Sequence, residues 1–508
     1  MSTLAHPAND APAKGWVVRD FAASIVVFLV AMPLCMGIAI ASGVPPEKGL
    51  VTGIIGGIVV GMLAGSPLQV SGPAAGLAVI VFELVRDHGL SALGPILVLA
   101  GGIQFVAGVL KIGGWFRAIS PAVVHGMLAG IGALIVVGQF HTLFDTKPLS
   151  NGLENLAAIP GRVMGLSPTN IESTELALMI GLVTIALMIG WDKFRPAALK
   201  LVPGALVGVV GGTLLAFVLK LQVVRVNVPE SIVAAVEAPG AGFLAPLASP
   251  VILLSAVAIA FIASAETLLS AAAVDRMHNG PRTDYNKELR AQGIGNLLCG
   301  FAGALPMTGV IVRSSANVQA GATTRASAIM HGVWILGFVA LLPWLLREIP
   351  MAALGGVLVV TGARLVSLKH VRHLFDNYGV LPAVIWAVTF VLVVTTDLLT
   401  GVLVGLALSL VELLPHARRL RLKVDTRHDS ESCHVRLDGA ATFISLPKLN
   451  KALDALPHGR PLTIELGMVP AIDHSCAEAL REWLHRRRQQ GHDVTLLGTP
   501  GQLRRLAA

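Results

Sequence analysis

Residues 305–325, LPMTGVIVRSSANVQAGATTR, place polar and charged side chains inside a long apolar region. Pro306 and Gly309 interrupt the apolar pattern, and Arg313 follows with Ser314, Ser315, Asn317 and Gln319. A permanent cation at membrane depth costs roughly 2.5–3.5 kcal/mol on insertion scales, so it pairs or lines a wet pathway. The pattern predicts a broken helix whose N-terminus and Arg313 together hold an anion. The plainer reading is an Arg near the cytoplasmic end of a span, its head reaching lipid headgroups.

A second interruption, QVSGPAAG from Gln69 to Gly76, lies in the first half of the chain. Ser71 suits an N-cap, Pro73 suits the first helical turn, and Gly72 leaves the backbone open to close approach. The N–H groups after Pro73, Ala74 first, would point out of the helix start and accept an anion. Taken alone, this break is also read as a Gly/Pro turn. Paired with the first, it gives two helix N-termini and one Arg around a positive pocket.

Glu266 sits mid-span in AIAFIASAETLLSAAAV. An ionised carboxylate there must be neutral, paired or solvated. Ser270, four residues on, shares its helix face. Three readings follow: a coupling site for H+ or Na+, a counter-charge for Arg313, or packing. Glu83 and Glu412 fall near span ends and read as snorkelling groups, and Asp397 after Thr395 and Thr396 reads as a helix cap. Gln139 is a candidate to face the site, and His125 is placed at a cytoplasmic end. No nucleophile–base pair, Walker loop or dinucleotide fingerprint appears, so no catalytic residue and no metal site are expected. The glycines of 53–61 lack a lysine and a strand context, and are read as helix packing.

The elements that must position these groups follow from composition. The chain has 508 residues, 54% hydrophobic and 13% charged, with mean hydropathy +0.74, which predicts a polytopic α-helical membrane protein. Fifty-four glycines suit close helix packing. A net charge of +8 is assigned to cytoplasmic loops, not to nucleic-acid binding. Cys35, Cys299, Cys433 and Cys476 have no metal-like or disulfide spacing. Fourteen apolar runs are expected: 21–41, 50–65, one through Val85, then 93–110, 121–141, 175–191, 200–219, 251–272, 290–304, 313–327, 328–346, 351–366, 377–395 and 398–414. Alternate loops carry the basic residues, among them Arg282, Lys287 and Arg290, and later Arg418, Arg419, Arg421 and Lys423. Both termini are therefore expected in the cytoplasm of a cell inner or plasma membrane.

Four regions are expected: a cytoplasmic segment 1–19, a transmembrane region 20–415, a basic linker 416–430, and a soluble α/β domain 431–508. In the last, CHVRLDG, LTIELG and DVTLLG read as strands and CAEALREWLHRRRQQ as a helix. The two interrupted segments each fall third in a set of seven spans, which points to an inverted repeat with the site between its halves.

The residues resemble the SulP family of anion permeases over nearly the whole chain. The resemblance is carried by AETLLSAAAVDRM, by NKELRAQGIGNLLCGFAGALPMTGVIVRSSANVQAGATTR, by MPLCMGIAIASGVPPEKGL, by QVSGPAAG and by ISPAVVHGMLAGIG. It implies fourteen spans in a seven-plus-seven inverted repeat, a core that moves against a gate in an elevator-like motion, and a homodimer. By motif position it implies an anion site at Ser71, Gly72, Pro73, Ala74, Val312, Arg313 and Ser314, with Glu266 on the eighth span. VRLDGAATFISLPKL, LTIELGMVPAIDHSCAEALREWL and LLGTPGQLRRL resemble a STAS domain, which implies a cytoplasmic partner. A phosphorylated Ser follows the Asp in the anti-sigma antagonists of that family, whereas His474 follows Asp473 here and Ser475 comes one place later.

Many sulfate carriers of the family have Gln after the first-span Pro, but here Leu34 follows Pro33, as in bicarbonate-type members. The expectation is a secondary transporter of small inorganic anions, bicarbonate ahead of sulfate or chloride, with Na+ or H+ as the coupling ion and no cofactor. The alternatives are a proton-coupled dicarboxylate or nucleobase transporter of the same fold, and a regulatory membrane scaffold acting through the STAS domain.

Overall fold

The computed structural model describes residues 15–508 apart from 117–119, 147, 150–151, 166–172, 200–201, 230, 237, 276, 279, 368–371, 373–374, 377–379, 397, 412–421, 429–432, 443–444, 457–460, 470–471, 490–492 and 508. The expected cap at Asp397, the carboxylate of Glu412 and the basic run Arg418, Arg419 and Arg421 lie outside the described residues, as does 1–14 of the N-terminal segment.

Apolar, Gly- and Ala-rich runs fold as helices because lipid leaves backbone polar groups no other partner. In chain order they are α1 Trp16–Ala41, α2 Pro46–Leu63, α3 Ala78–His88, α4 Leu93–Val109, α5 Pro121–Thr142, α6 Ser173–Phe194 and α7 Gly204–Val218. The second half supplies α8 Pro250–Asp275, α9 Tyr285–Phe301, α10 Ile311–Gln319, α11 Ala326–Leu341, α12 Met351–Leu365, α13 Val380–Thr395 and α14 Leu398–Val411. Among the described residues, six helices are long and apolar enough to cross a membrane, and several shorter ones are equally apolar.

Two expected helices are not helical where anticipated. Residues 71–73 form a strand, β1 Ser71–Pro73, and 307–309 form β2 Met307–Gly309. The strands pair antiparallel, with Ser71 opposite Gly309, Gly72 opposite Thr308 and Pro73 opposite Met307. Ser71 is therefore not an N-cap and Pro73 is not in a first helical turn. The helical path resumes at Ala75 as a 3-10 turn and continues as α3. The span expected at 313–327 is the nine-residue α10, which ends before Gly321 at φ 91°.

Two compact units are present: residues 1–111 with 135–361, and residues 112–134 with 362–508. In the first, helices touch through glycines. A Cβ on Gly101 would stand 2.6 Å from the Gly293 carbonyl oxygen, and one on Gly300 would stand 2.7 Å from the Gly94 carbonyl oxygen, so α4 and α9 meet backbone to backbone. A Cβ on Gly53 would lie 2.7 Å from Cys35 Sγ, which fixes α2 against α1.

The second unit contains α13, α14 and the C-terminal domain. There β3 Lys423–His428 and β4 Cys433–Asp438 pair antiparallel, and β4, β5 Leu462–Met468 and β6 Val494–Leu497 run parallel in the order β3-β4-β5-β6. Parallel neighbours need crossovers, and α15 Leu446–Asp454 and α16 His474–Gln489 supply them. β4 alternates inward Cys433, Val435 and Leu437 with outward residues, which buries one face against the helices. The sheet begins ahead of the expected boundary, because β3 occupies part of the stretch 416–430 anticipated as a linker. Asp473 caps α16 by accepting the Cys476 N–H at 2.8 Å.

Candidate functional site

The two short strands are held from one side by a ladder of polar side chains on α9. Glu288, Gln292 and Asn296 recur every four residues and share a helix face. Glu288 accepts the N–H groups of Gly65 and Ser66 at 2.8 and 2.9 Å, where the chain leaves α2. Gln292 donates to Ser71 Oγ at 2.6 Å. Asn296 accepts the Met307 N–H at 2.8 Å, donates to the Met307 carbonyl at 3.1 Å, and donates to Gln104 of α4 at 2.7 Å. Thr267 of α8 adds two contacts: its hydroxyl accepts the Gly309 N–H at 3.1 Å and its carbonyl accepts Gln69 at 2.9 Å. Short strands in an apolar surround need this, since each unmet backbone group would be expensive.

Arg313 of α10 is fully buried, and Nε, Nη1 and Nη2 have no hydrogen-bond partner among the described residues. Its guanidinium covers Gly72, where a Cβ would overlap Nη1. Cys35 of α1 brings its thiol beside the same group, and His331 of α11 lies within Coulombic reach. A thiol is a weak acceptor and cannot neutralise a cation. Burial of an unpaired guanidinium is unfavourable unless an anion meets it.

Glu266 of α8 does not serve as that anion, so the counter-charge reading fails as an ion pair. Its carboxylate faces the Gly76 N–H and the Thr308 hydroxyl, with Oε2 outside hydrogen-bond geometry to either. A Cβ at Gly76 would stand 2.6 Å from Oε2. Ser270 is buried one turn further along α8. Among the described residues, Oε2 and the Thr308 hydroxyl are thus two buried oxygens without hydrogen-bond partners.

Of the other expected site residues, several have their polar groups committed. The Ala74 N–H donates to the Pro306 carbonyl at 3.1 Å. Ser314 Oγ accepts the Val70 N–H at 2.9 Å and donates to the Val310 carbonyl at 2.7 Å. Ser71 Oγ is held by Gln292. Pro73 carries no N–H and packs within β1. What remains to meet a ligand is the Arg313 side chain and the first-turn N–H groups of α10, including those of Val312 and Arg313. Pro33 and Leu34 are buried in α1, and Leu34 belongs to an apolar cluster with Leu50 and Ile335, so it is the next residue, Cys35, that reaches Arg313. Gln139 is buried on α5 with Oε1 unpartnered. Sequence reasoning gave no role to Cys35, His331, Gln69 or Thr308, and marked Gln292 and Asn296 only as part of the family-like run NKELRAQGIGNLL, where their four-residue spacing shows.

Comparison with known proteins identifies the family and the fold. Residues 17–389 match the sulfate permease family, and residues 424–508 match a STAS domain of the Mlab type. YvdB of Bacillus subtilis, named a candidate sulfate transporter, is 30% identical over 96% of this chain and 92% of its own. The bicarbonate transporter BicA of Picosynechococcus is 25% identical over 96% of this chain and 89% of its own. The solved structure of SLC26A9 superposes with a TM-score of 0.69 at 15% identity, covering 98% of this chain and 87% of that one, and so shares the fold. Arg313 and the strand crossing lie within the matched residues 17–389, and the chain belongs to the sulfate permease family of membrane anion transporters, with a C-terminal STAS domain.

Proposed function

We propose that this protein carries small inorganic anions, bicarbonate foremost and sulfate or chloride after it, by secondary active transport across a cell inner or plasma membrane. The observation that carries the reading is Arg313: fully buried, without a charged partner among the described residues, and laid over a glycine of the strand crossing. The substrate sits at the start of α10, held by Arg313 and the first-turn N–H groups. Glu266, with Ser270 beyond it, handles the coupling H+ or Na+. Leu34 and the likeness to a named bicarbonate transporter support bicarbonate; the likeness to a named sulfate transporter keeps sulfate second.

Fourteen spans act as two inverted sets of seven, with both termini in the cytoplasm. A core carrying the strand crossing moves against a gate in an elevator-like cycle, in a homodimer, with the STAS domain docking a cytoplasmic partner. Uptake of labelled bicarbonate, sulfate, chloride and a dicarboxylate into proteoliposomes, each with and without Na+ and a proton gradient, tests the reading. Normal anion flux by Arg313→Ala would remove the anion-site assignment.

A further inference from the structure

His331 lies on α11 with its side chain fully buried. Its Nδ1 is 2.5 Å from the Ala328 carbonyl oxygen. A carbonyl only accepts, so Nδ1 carries a proton, and in the neutral ring Nε2 is left as a bare acceptor. Nε2 has no hydrogen-bond partner among the described residues. Arg313 is the complement: a set of buried donors with no acceptor.

The backbone between them is stripped of side chains. A Cβ on Gly57 would stand 2.8 Å from His331 Cε1. A Cβ on its neighbour Gly56 would stand 2.7 Å from the Ser71 carbonyl oxygen and 3.2 Å from the Gly72 nitrogen. Gly72 in turn lies under the Arg313 guanidinium. Gly57 thus packs against His331, Gly56 against Ser71 and Gly72, and Gly72 against Arg313, so the imidazole and the guanidinium flank one π-helical turn of α2, Gly56–Val60. Such turns gather at functional sites.

A ligand that satisfies both groups needs bare oxygens for the guanidinium and an O–H for the imidazole. We propose that His331 reads a hydroxyl proton on the substrate: Arg313 donates to the anion's bare oxygens, while His331 Nε2 accepts from its O–H. The site then selects hydrogen oxyanions, bicarbonate first, over anions with no donor. A dianion such as sulfate sets a lone pair against Nε2 and leaves it unsatisfied. This inference rests on the anion-transport reading above and goes beyond it by naming the residue that recognises the protonated form.

Formate and nitrate are planar monoanions without an O–H, so they isolate the donor. The full-length protein in proteoliposomes is assayed with labelled bicarbonate, formate and nitrate, as wild type, His331→Leu and His331→Gln. The wild type is expected to favour bicarbonate. His331→Leu should lower the bicarbonate-to-formate and bicarbonate-to-nitrate flux ratios by about tenfold, the effect of one hydrogen bond to a charged partner. His331→Gln keeps an acceptor oxygen and should restore most of the ratio. Equal loss for all three anions, or a wild type with no preference for bicarbonate, overturns the inference and leaves anion transport standing. The wild-type ratio and His331→Gln decide the matter even if His331→Leu does not assemble. A wild type that moves none of the three anions overturns this inference, while the transport reading is decided separately by the sulfate and chloride uptake assays.

Discussion

Gly72 and Thr308 stand directly opposite each other across the two-stranded ribbon, and residues so paired share one of its faces. Arg313 covers the first, and the Glu266 carboxylate faces the second. A cation and a carboxylate from two different helices thus address one face of the ribbon without forming an ion pair. In the proposed cycle, that separation is what would let an anion meet the guanidinium while a coupling ion meets the carboxylate.

Arg313→Ala should reduce anion flux about 10- to 100-fold, the range expected for losing charge-assisted hydrogen bonds to the substrate. Arg313→Lys should recover only part of it, because a single ammonium cannot reproduce the planar fork. Initial rates over a substrate series separate the two variants. Wild-type rates from Arg313→Ala would show that the guanidinium is not at the anion.

Gly72→Ala and Gly76→Ala should differ in kind. The first puts a methyl into the Arg313 guanidinium and should raise the apparent KM for the anion. The second puts one against Glu266 Oε2 and should shift the dependence on Na+ or on the proton gradient. Anion titrations at fixed ion gradient, and the converse, read the split. Identical changes from both variants would mean that the ribbon acts as one undivided unit.

Glu266→Gln keeps the size of the side chain and removes its charge. Its expected effect is loss of the Na+ or H+ dependence of uptake, with the protein still purified as a monodisperse species. Unchanged ion dependence would return Glu266 to a packing role.

Asn296→Leu should destabilise the membrane region by roughly 1–3 kcal/mol for each Met307 group left bare. Thermal unfolding in detergent, followed by tryptophan fluorescence, measures it. A wild-type Tm in this variant would show that the α9 ladder does not hold β2 in place.

Asp145, in the turn after α5, accepts the Val224 N–H at 3.1 Å through Oδ2, while Oδ1 is buried without a partner. Burial pushes its carboxyl above the ordinary carboxylate value, against the opposing pull of that N–H. A raised carboxyl stabilises the fold at low pH, and that contribution is lost as pH rises through the raised value. Asp145→Asn should therefore raise Tm relative to wild type at pH 7.5, with the gap closing toward ~pH 4. A gap of the same size at both pH values would contradict the burial argument.

The helices were legible because their signal is local: long apolar runs, with glycines where neighbours touch. The ribbon was not. Ser71 and Pro73 carry the residue types of a helix start, and nothing within SGP or MTG marks a strand. Their pairing is decided by a partner in the other half of the chain and by Gln292, Asn296 and Thr267, so local propensity was overruled by tertiary contact. Arg313 was found from its charge alone, since a lone cation in an apolar stretch is conspicuous. Cys35 and His331 were not, because a thiol and an imidazole pass as ordinary core residues until the fold brings them to the guanidinium. In the STAS domain, β3 was missed because KVDTRH is short and mostly polar and shows its pairing only beside β4.

Val70 and Ser314 are bonded across 244 positions of chain, beside strands only three residues long. Closing so long a loop costs entropy that three pairs of residues cannot offset until the helices around them are in place. During synthesis the first strand therefore has no partner strand until α3 to α9 have been made. Until β2 arrives, that edge is the part of the nascent chain most exposed to wrong partners. Biogenesis, as much as transport, thus places demands on residues 71–73 and 307–309, and a chain truncated before Met307 should be handed to quality control rather than persist as a half-carrier.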